Sequence, residues 1–416
     1  MRRLPAESVW YVYEALASFG SRQAFTVTAV YFVTEVGMSP LELVLVGTMM
    51  ELAIFVFEVP TGIVADVYSR RLSIIVGTAV MGVAFLLVAA TQLAGVVLLA
   101  YAVWGLGYTF TSGAMDAWLA DEVGNERLPR VYLRGAQLGR LAGLAGIGTS
   151  VGVALVDLRL AIALAGVLAL VEAAFYVLAM PETGFRPLPR EERGSFAQMT
   201  HTGHAGVRLV RARPALLAIL GIAAFAGMWS EGFDRLWEAR FLEIGLPTLG
   251  GLDPIVWFGV FAAGTTLLAI AVAQPLGKRI EIAGQRTMVR ILFWMDAALL
   301  VTAACFALAG AFWIAVVGYF ATRLLRDVAS PIFDTWLNRS IEDSRVRATV
   351  LSITNQADAV GQWTGGPAIG VVGNVFSIRA ALMSGALCMA PALGLYRRAI
   401  RDDGVEPAAA VAPEVV

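Results

Sequence analysis

Residues Phe57–Arg71 read FEVPTGIVADVYSRR. The stretch starts apolar and ends in paired arginines, with Gly62, Asp66, Arg70 and Arg71 in the spacing G-x-x-x-D-x-x-x-R-R. Glycine carries no Cβ and tolerates unusual dihedrals, so Gly62 is expected to give a tight exit from a helix. Asp66 stands four residues before Arg70, the spacing at which a carboxylate and a guanidinium pair on a helix. An arginine pair after an apolar run marks the cytoplasmic side of a bilayer.

The rest of the chain agrees with a membrane setting. It has 416 residues, 58% apolar and 15% charged, with mean hydropathy +0.73. A soluble domain carries about 25% charge. Apolar blocks of about 20 residues recur along the whole length, each long enough to cross a hydrocarbon core of about 30 Å. This predicts a polytopic helical membrane protein. The net charge of −1 provides no basic field for nucleic acid. Cys305 and Cys388 lie far apart inside apolar segments, as small core residues do, and form no disulfide framework. The first apolar segment contains Glu14 and Arg22 and lacks a small-residue cleavage site, so it is expected to be retained.

Twelve spans are expected, at about 9–35, 41–64, 72–91, 95–120, 131–156, 159–180, 214–242, 254–277, 288–309, 312–337, 348–372 and 378–397. Arginine concentrates in alternate loops, at Arg70 and Arg71, Arg127 and Arg130, Arg279 and Arg286, and Arg339, Arg345 and Arg347. The positive-inside rule then puts both termini in the cytoplasm of a plasma-membrane protein, with Arg159 and Arg379 as single exceptions. Residues 1–180 and 214–400 form two six-span halves. Residues 181–213 form a cytoplasmic linker with Pro181, Pro187 and Pro189, whose Phe196–Val210 portion could lie on the membrane as an amphipathic helix. Residues 401–416 read as a disordered tail.

The two halves repeat. Asp116-Ala-Trp118-Leu119 recurs as Asp334-Thr-Trp336-Leu337, and the offset of 218 residues carries Arg127 onto Arg345, Leu133 onto Leu351 and Gln137 onto Asn355. With this repeat and the first-loop motif, the chain resembles the major facilitator superfamily over about residues 9–397. The family's loop pattern is roughly G-x-L-a-D-r-x-G-R-[RK]; Gly62, Asp66, Arg70 and Arg71 match, while Val64 replaces the leucine and Ser69 the second glycine. The resemblance implies an all-α integral membrane fold of twelve helices in two pseudo-symmetric six-helix bundles. It implies a carrier of a small organic substrate that works by alternating access, without cofactor or metal. In the family, the loop aspartate and arginine engage the acidic end of the fourth helix and a helix of the other half, locking the outward-facing state. Asp66 and Arg70 would form that latch here, with either Asp121 or Asp116 as its acidic partner.

Ionisable residues in mid-membrane cost roughly 2.5–3.5 kcal/mol each on insertion scales, so those present are expected to face water or one another. Glu14, Glu58, Asp116 and Arg134 lie near cytoplasmic ends and read as gating or structural groups. Glu51, Arg22, Arg140, Glu172, Asp296, Arg323 and Asp358 lie deep. Arg323 with Asp327, and Glu231 with Arg235, stand four apart and read either as self-neutralising pairs or as cavity charges. A proton-coupled carrier needs an acid that gains and loses its proton during the cycle. Glu51 is the first candidate and Asp296 and Asp358 the second; the alternative for Glu51 is a fixed salt bridge to Arg22 or Arg140. Arg22, Arg140, Glu172, Arg323, Trp104 and Gln356 are the candidates for substrate contact. Trp104, Trp229, Trp294 and Trp363 would form either an aromatic wall or ordinary packing and interfacial belts.

The glutamates Glu51 and Glu58 are similar to those of some tetracycline-efflux members, which points to a drug/proton-antiporter-like exporter. Two features depart from that branch. Tyr101–Phe110 has no mid-span arginine, and Ala142–Gly152 is glycine-rich but has no proline. An uptake carrier or uniporter of the same fold is the alternative. A membrane enzyme has little support, because the only histidines, His201 and His204, lie in the linker. ATP-driven pumping within this chain is excluded, since the single lysine, Lys278, is followed by Arg279 rather than by the Ser or Thr of a phosphate loop.

Overall fold

The computed structural model describes residues 3–186, 213–248, 250–251, 253–280, 284–341 and 347–402. Most of the linker, including the Phe196–Val210 segment, and the tail beyond residue 402 lie outside them. The described residues are helical and contain no strand. The first half comprises α1 (Ala6–Phe25), α2 (Thr28–Tyr31, running into a π turn at Phe32–Val36), α3 (Pro40–Val67), α4 (Arg70–Ala89), α5 (Ala94–Thr111), α6 (Ala114–Val123), α7 (Leu128–Ala154) and α8 (Leu158–Ala179). The second comprises α9 (Pro214–Ile244), α10 (Val256–Ile280), α11 (Gln285–Leu308), α12 (Phe312–Arg339), α13 (Arg347–Val375), α14 (Ile378–Cys388) and α15 (Ala390–Asp402). With α1–α2, α5–α6 and α14–α15 each taken as one span, these make twelve.

Local chemistry sets the helix ends. At α3, Ser39 and Glu42 form a reciprocal capping box, with the Ser39 N–H donating to Glu42 Oε2 at 2.8 Å and Pro40 in the first turn. Ser69 caps α4 by accepting from the Leu72 N–H at 2.9 Å. Ser69 replaces the family's glycine, so the motif starts a helix where the pattern has a flexible residue. Gly62 does not give the tight exit expected from sequence. It lies inside α3, which runs on to Val67, and a Cβ there would meet nothing within 4 Å.

The packing repeats with the chain. In the first half α1 packs on α7, α4 on α5 and α8, and α3 on α5; in the second α9 packs on α13, α11 on α12 and α14, and α10 on α12. The repeat is visible even in its defects. The fourth span breaks at Ser112–Gly113, where Gly113 has φ +68. The equivalent positions of the tenth span are Ser330 and Pro331, and Pro331 is carried inside an unbroken helix.

Seven helical spans are long and apolar enough to cross a membrane by length and composition. Spans such as α12 and α13 carry more charge, and Arg326, Asp334 and Asp358 on them line an interior cavity instead of facing lipid. Leu141, Trp294 and Val317 stand exposed on the outside, as a lipid-facing surface requires.

The halves meet tightly at one end. There α3 crosses α13, and α7 touches α10. The Leu41 N–H donates to Asn374 Oδ1 at 2.9 Å. A Cβ on Gly370 would lie 2.9 Å from Leu41 Cα, and one on Gly373 2.6 Å from Pro40 Cβ. Glycine lets the helices approach this closely. The opposite end carries the arginine-bearing loops, and no hydrogen bond or ion pair joins the two halves there among the described residues. Replacing Gly370 by Leu is therefore expected to pry the sealed end apart. Cysteines placed at Leu41 and Asn374, with Cys305 and Cys388 changed to serine, should cross-link readily in the parent and several-fold less in the Gly370→Leu protein.

Candidate functional site

A cavity of about 1010 Å³ opens between α3 of the first half and α9, α11, α12, α13 and α15 of the second. Helix α3 supplies Glu51, Phe55 and Glu58; α9 supplies Trp229 and Ser230; α11 supplies Asp296. From α12 come Arg326, Phe333 and Asp334, from α13 Asn355, Gln356, Asp358 and Gln362, and from α15 Tyr396. The cavity thus gathers Glu51, Asp296, Asp358 and Gln356, candidates from the second, ninth and eleventh spans.

Close helix packing fixes their positions. A Cβ on Gly227 would stand 2.1 Å from the Asp358 carbonyl oxygen, and one on Gly361 2.0 Å from that of Ala224. These contacts draw α13 against α9 and set Asp358 at the cavity wall, where it accepts from Gln362 Nε2 at 2.7 Å. Asp296 is buried beside the Tyr396 hydroxyl. Glu51 is half-buried and has no hydrogen bond or ion pair among the described residues. The charged groups acting on it are Glu231, Arg235, Asp358 and Glu58. The salt bridge to Arg22 or Arg140 weighed from sequence is not formed.

The other deep charges pair in two ways. Glu231 and Arg235 form the expected pair on one helix face, at 3.0 Å, and press against Gly47 of α3. Arg323 does not pair with Asp327 on its own helix. It reaches across to Asp234 of α9 at 3.0 Å, and Arg326 grips the same carboxylate at 2.6 Å. Arg326 also lies over the Trp229 ring, 5.5 Å from its centroid. Spacing along one helix could not reveal this cross-helix triad.

Several sequence candidates lie apart from the cavity wall. Arg22 and Arg140 are accessible but do not line it. Glu172 is buried within the first half and accepts from the Tyr176 hydroxyl. Trp104 stacks on Tyr108 at 5.6 Å, meets Phe25 edge-on and lies tilted to Phe85, so it packs the first bundle. Trp294 is on the outside and Trp363 packs on Phe55. Sequence reasoning took Glu58 as a gating group and Asp334 as part of a repeat, and missed both as cavity acids; their position on the α3 and α12 faces that hold Glu51 and Arg326 is the signal that could have placed them.

The first-loop motif forms a compact cluster. Arg70 donates to Asp121, to the Ala117 carbonyl at 2.8 Å and, more weakly, to Asp66 at 3.5 Å. Asp116 instead accepts from the Tyr132 hydroxyl at 3.1 Å. Glu182, at the start of the linker, sits on the N-terminus of α4, accepting from the Arg71 N–H at 2.9 Å and from Ser69 Oγ at 2.8 Å. The Arg71 guanidinium donates to the Val177 carbonyl at 2.7 Å.

Comparison with known proteins decides the family. The sequence pattern described as Major Facilitator Superfamily matches residues 15–251. The chain belongs to the Major Facilitator Superfamily. It is 22% identical over 383 residues to an uncharacterized MFS-type transporter, YxaM, of Bacillus subtilis (strain 168), covering 90% of each chain. Its fold is similar to the nucleoside transporter NupG, with TM-score 0.78 at 11% identity over 95% of this chain and 99% of the other. It is also similar to a bacterial homologue of the human lysosomal transporter Spinster in an inward-facing, unoccupied conformation, with TM-score 0.74 at 12% identity over 97% and 98% of the two chains. The protein is thus a multi-pass membrane transporter and not an enzyme.

Among the described residues, the motif's contacts stay inside the first half and hold the start of the linker, so the lock onto the other half that the resemblance implies is not engaged. Asp121 is the partner that matters to Arg70. Asp121→Asn is expected to cost about 1 kcal/mol, the upper end for exposed ion pairs. Asp66→Asn should cost less than about 1 kcal/mol, as half-exposed pairs do. Thermal unfolding of the two purified variants ranks them.

Proposed function

We propose that the protein is a secondary active transporter that exports a small amphiphilic organic compound in exchange for protons. The observation that supports this reading most is Glu51. It is an acid without a counter-ion, on the wall of a cavity that is closed at one end and continuous with the arginine-bearing end. By the positive-inside rule the open end faces the cytoplasm, which makes this the state that collects cargo from inside the cell.

Geometry supplies the coupling. Glu51 stands one helical turn from Gly47, against which the Glu231–Arg235 pair packs at the sealed end. A proton on Glu51 removes its charge from the field around that pair. The relative stability of the sealed and unsealed states then changes with protonation, which is all a coupling acid has to achieve. Asp296 and Asp358 are the further acids lining the same cavity. The two six-helix halves would rock about this midplane site, with the membrane-surface linker joining them. The nucleoside transporter among the similar structures shows that this fold can serve organic cargo; identity at this level carries no further.

The test is internal pH in proteoliposomes while organic compounds are added outside. A compound that enters in exchange for protons should raise internal pH with the parent protein, and Glu51→Gln should abolish the signal while leaving the protein folded in the membrane. Full proton-linked flux in Glu51→Gln would remove Glu51 from the role, and substrate flux without proton movement in the parent would make the protein a uniporter or couple it to another ion.

A further inference from the structure

The cavity is strongly acidic for a chain whose net charge is −1. Five carboxylates line it, Glu51, Glu58, Asp296, Asp334 and Asp358, against one guanidinium, Arg326. That guanidinium is already engaged: Asp234 holds it at 2.6 Å, and it lies over Trp229. Its neighbour Arg323 is bound to the same aspartate and does not line the cavity. The rest of the wall is uncharged, with aromatic faces at Phe55, Trp229 and Phe333, amides at Asn355, Gln356 and Gln362, and hydroxyls such as Ser230 and Thr354. Carboxylates focused in a low-dielectric cleft concentrate cations. Aromatic faces attract cations and accommodate apolar bodies.

We propose that the cargo is a lipophilic organic cation, its charge held between Glu51 on α3 and Asp358 on α13 and its apolar body against Phe55, Trp229 and Phe333. This rests on the cavity being the transport site, as argued above. It also gives Glu51 a second use. A carboxylate that attracts a cation when ionised and releases it when protonated exchanges cargo for proton at one position, so no separate relay is required. Acids from both halves take part, since Glu51 belongs to the first and Asp296 and Asp358 to the second, and rocking the halves would separate them.

The test uses two probes of the same shape and opposite charge, tetraphenylphosphonium and tetraphenylborate. Binding to the full chain in phosphatidylcholine nanodiscs is read from tryptophan fluorescence. The phosphonium should bind, and bind roughly tenfold more weakly to Glu51→Gln and to Asp358→Asn. Glu58→Gln, at an exposed position whose replacement leaves packing intact, should weaken it several-fold. The borate should bind no better than to empty nanodiscs. Equal binding of both probes, phosphonium binding unchanged in all three variants, or no phosphonium binding would each overturn the assignment. Proton movement driven only by neutral or anionic compounds would overturn it while leaving the coupled carrier intact. Phosphonium binding without proton movement would leave the cation site standing and remove the coupling.

Discussion

Charge is expensive in hydrocarbon, and the arrangement of this protein follows from where its charges are put. At roughly 2.5–3.5 kcal/mol for each mid-membrane ion on insertion scales, a chain with this many acids and arginines in its spans must give them partners or water. Both occur. Asp234 serves two arginines across helices, and Glu231 serves Arg235. Fully buried Arg240 pairs with Glu243 at 2.6 Å and reaches the Ala309 carbonyl. Glu51, Asp296 and Asp358 share one cavity, and Glu172 accepts from the Tyr176 hydroxyl within the first half. The splayed helices that create the cavity are therefore also what makes such spans tolerable in a bilayer.

The same geometry places chemistry beside mechanics. The sealed end is a set of near-backbone contacts between α3 and α13, made possible by glycine. Nearly three turns further along α3, and one turn from the Gly47 contact with the Glu231–Arg235 pair, is the acid without a partner. In the proposed cycle, a change of charge at Glu51 would act on a contact that either holds at full packing or opens, because close-packed interfaces do not deform smoothly. At the other end, the loop motif braces the first bundle and the start of the linker.

Much of this was legible in the sequence. Span number and family could be read because hydropathy, the Asp-x-Trp-Leu repeat and the Gly62–Arg71 motif each report local or periodic properties. Glu51, Asp296 and Asp358 could be singled out because mid-span acids are rare, and all three line the same cavity. What could not be read depends on contact between helices. Spacing offered Asp327 to Arg323, because residues four apart share a face, whereas Asp234 on another helix is the partner. Trp104 and Trp229 look alike in sequence, yet the first packs within a bundle and the second faces the cavity. Gly62 fits a motif but lies in an ordinary turn of helix, while Gly47, Gly366 and Gly370, outside any motif, set the approach of the halves.

Alternating access is the central claim, and distances at the two ends test it most directly. Spin labels at Val156 and Val375 report the sealed end, and labels at Tyr68 and Asn338 the open end, each pair spanning the two halves at exposed positions. Double electron–electron resonance in nanodiscs, comparing the parent with Glu51→Gln, should show reciprocal changes, one pair lengthening as the other shortens. Distances that stay fixed, or that change in the same direction at both ends, would contradict the account.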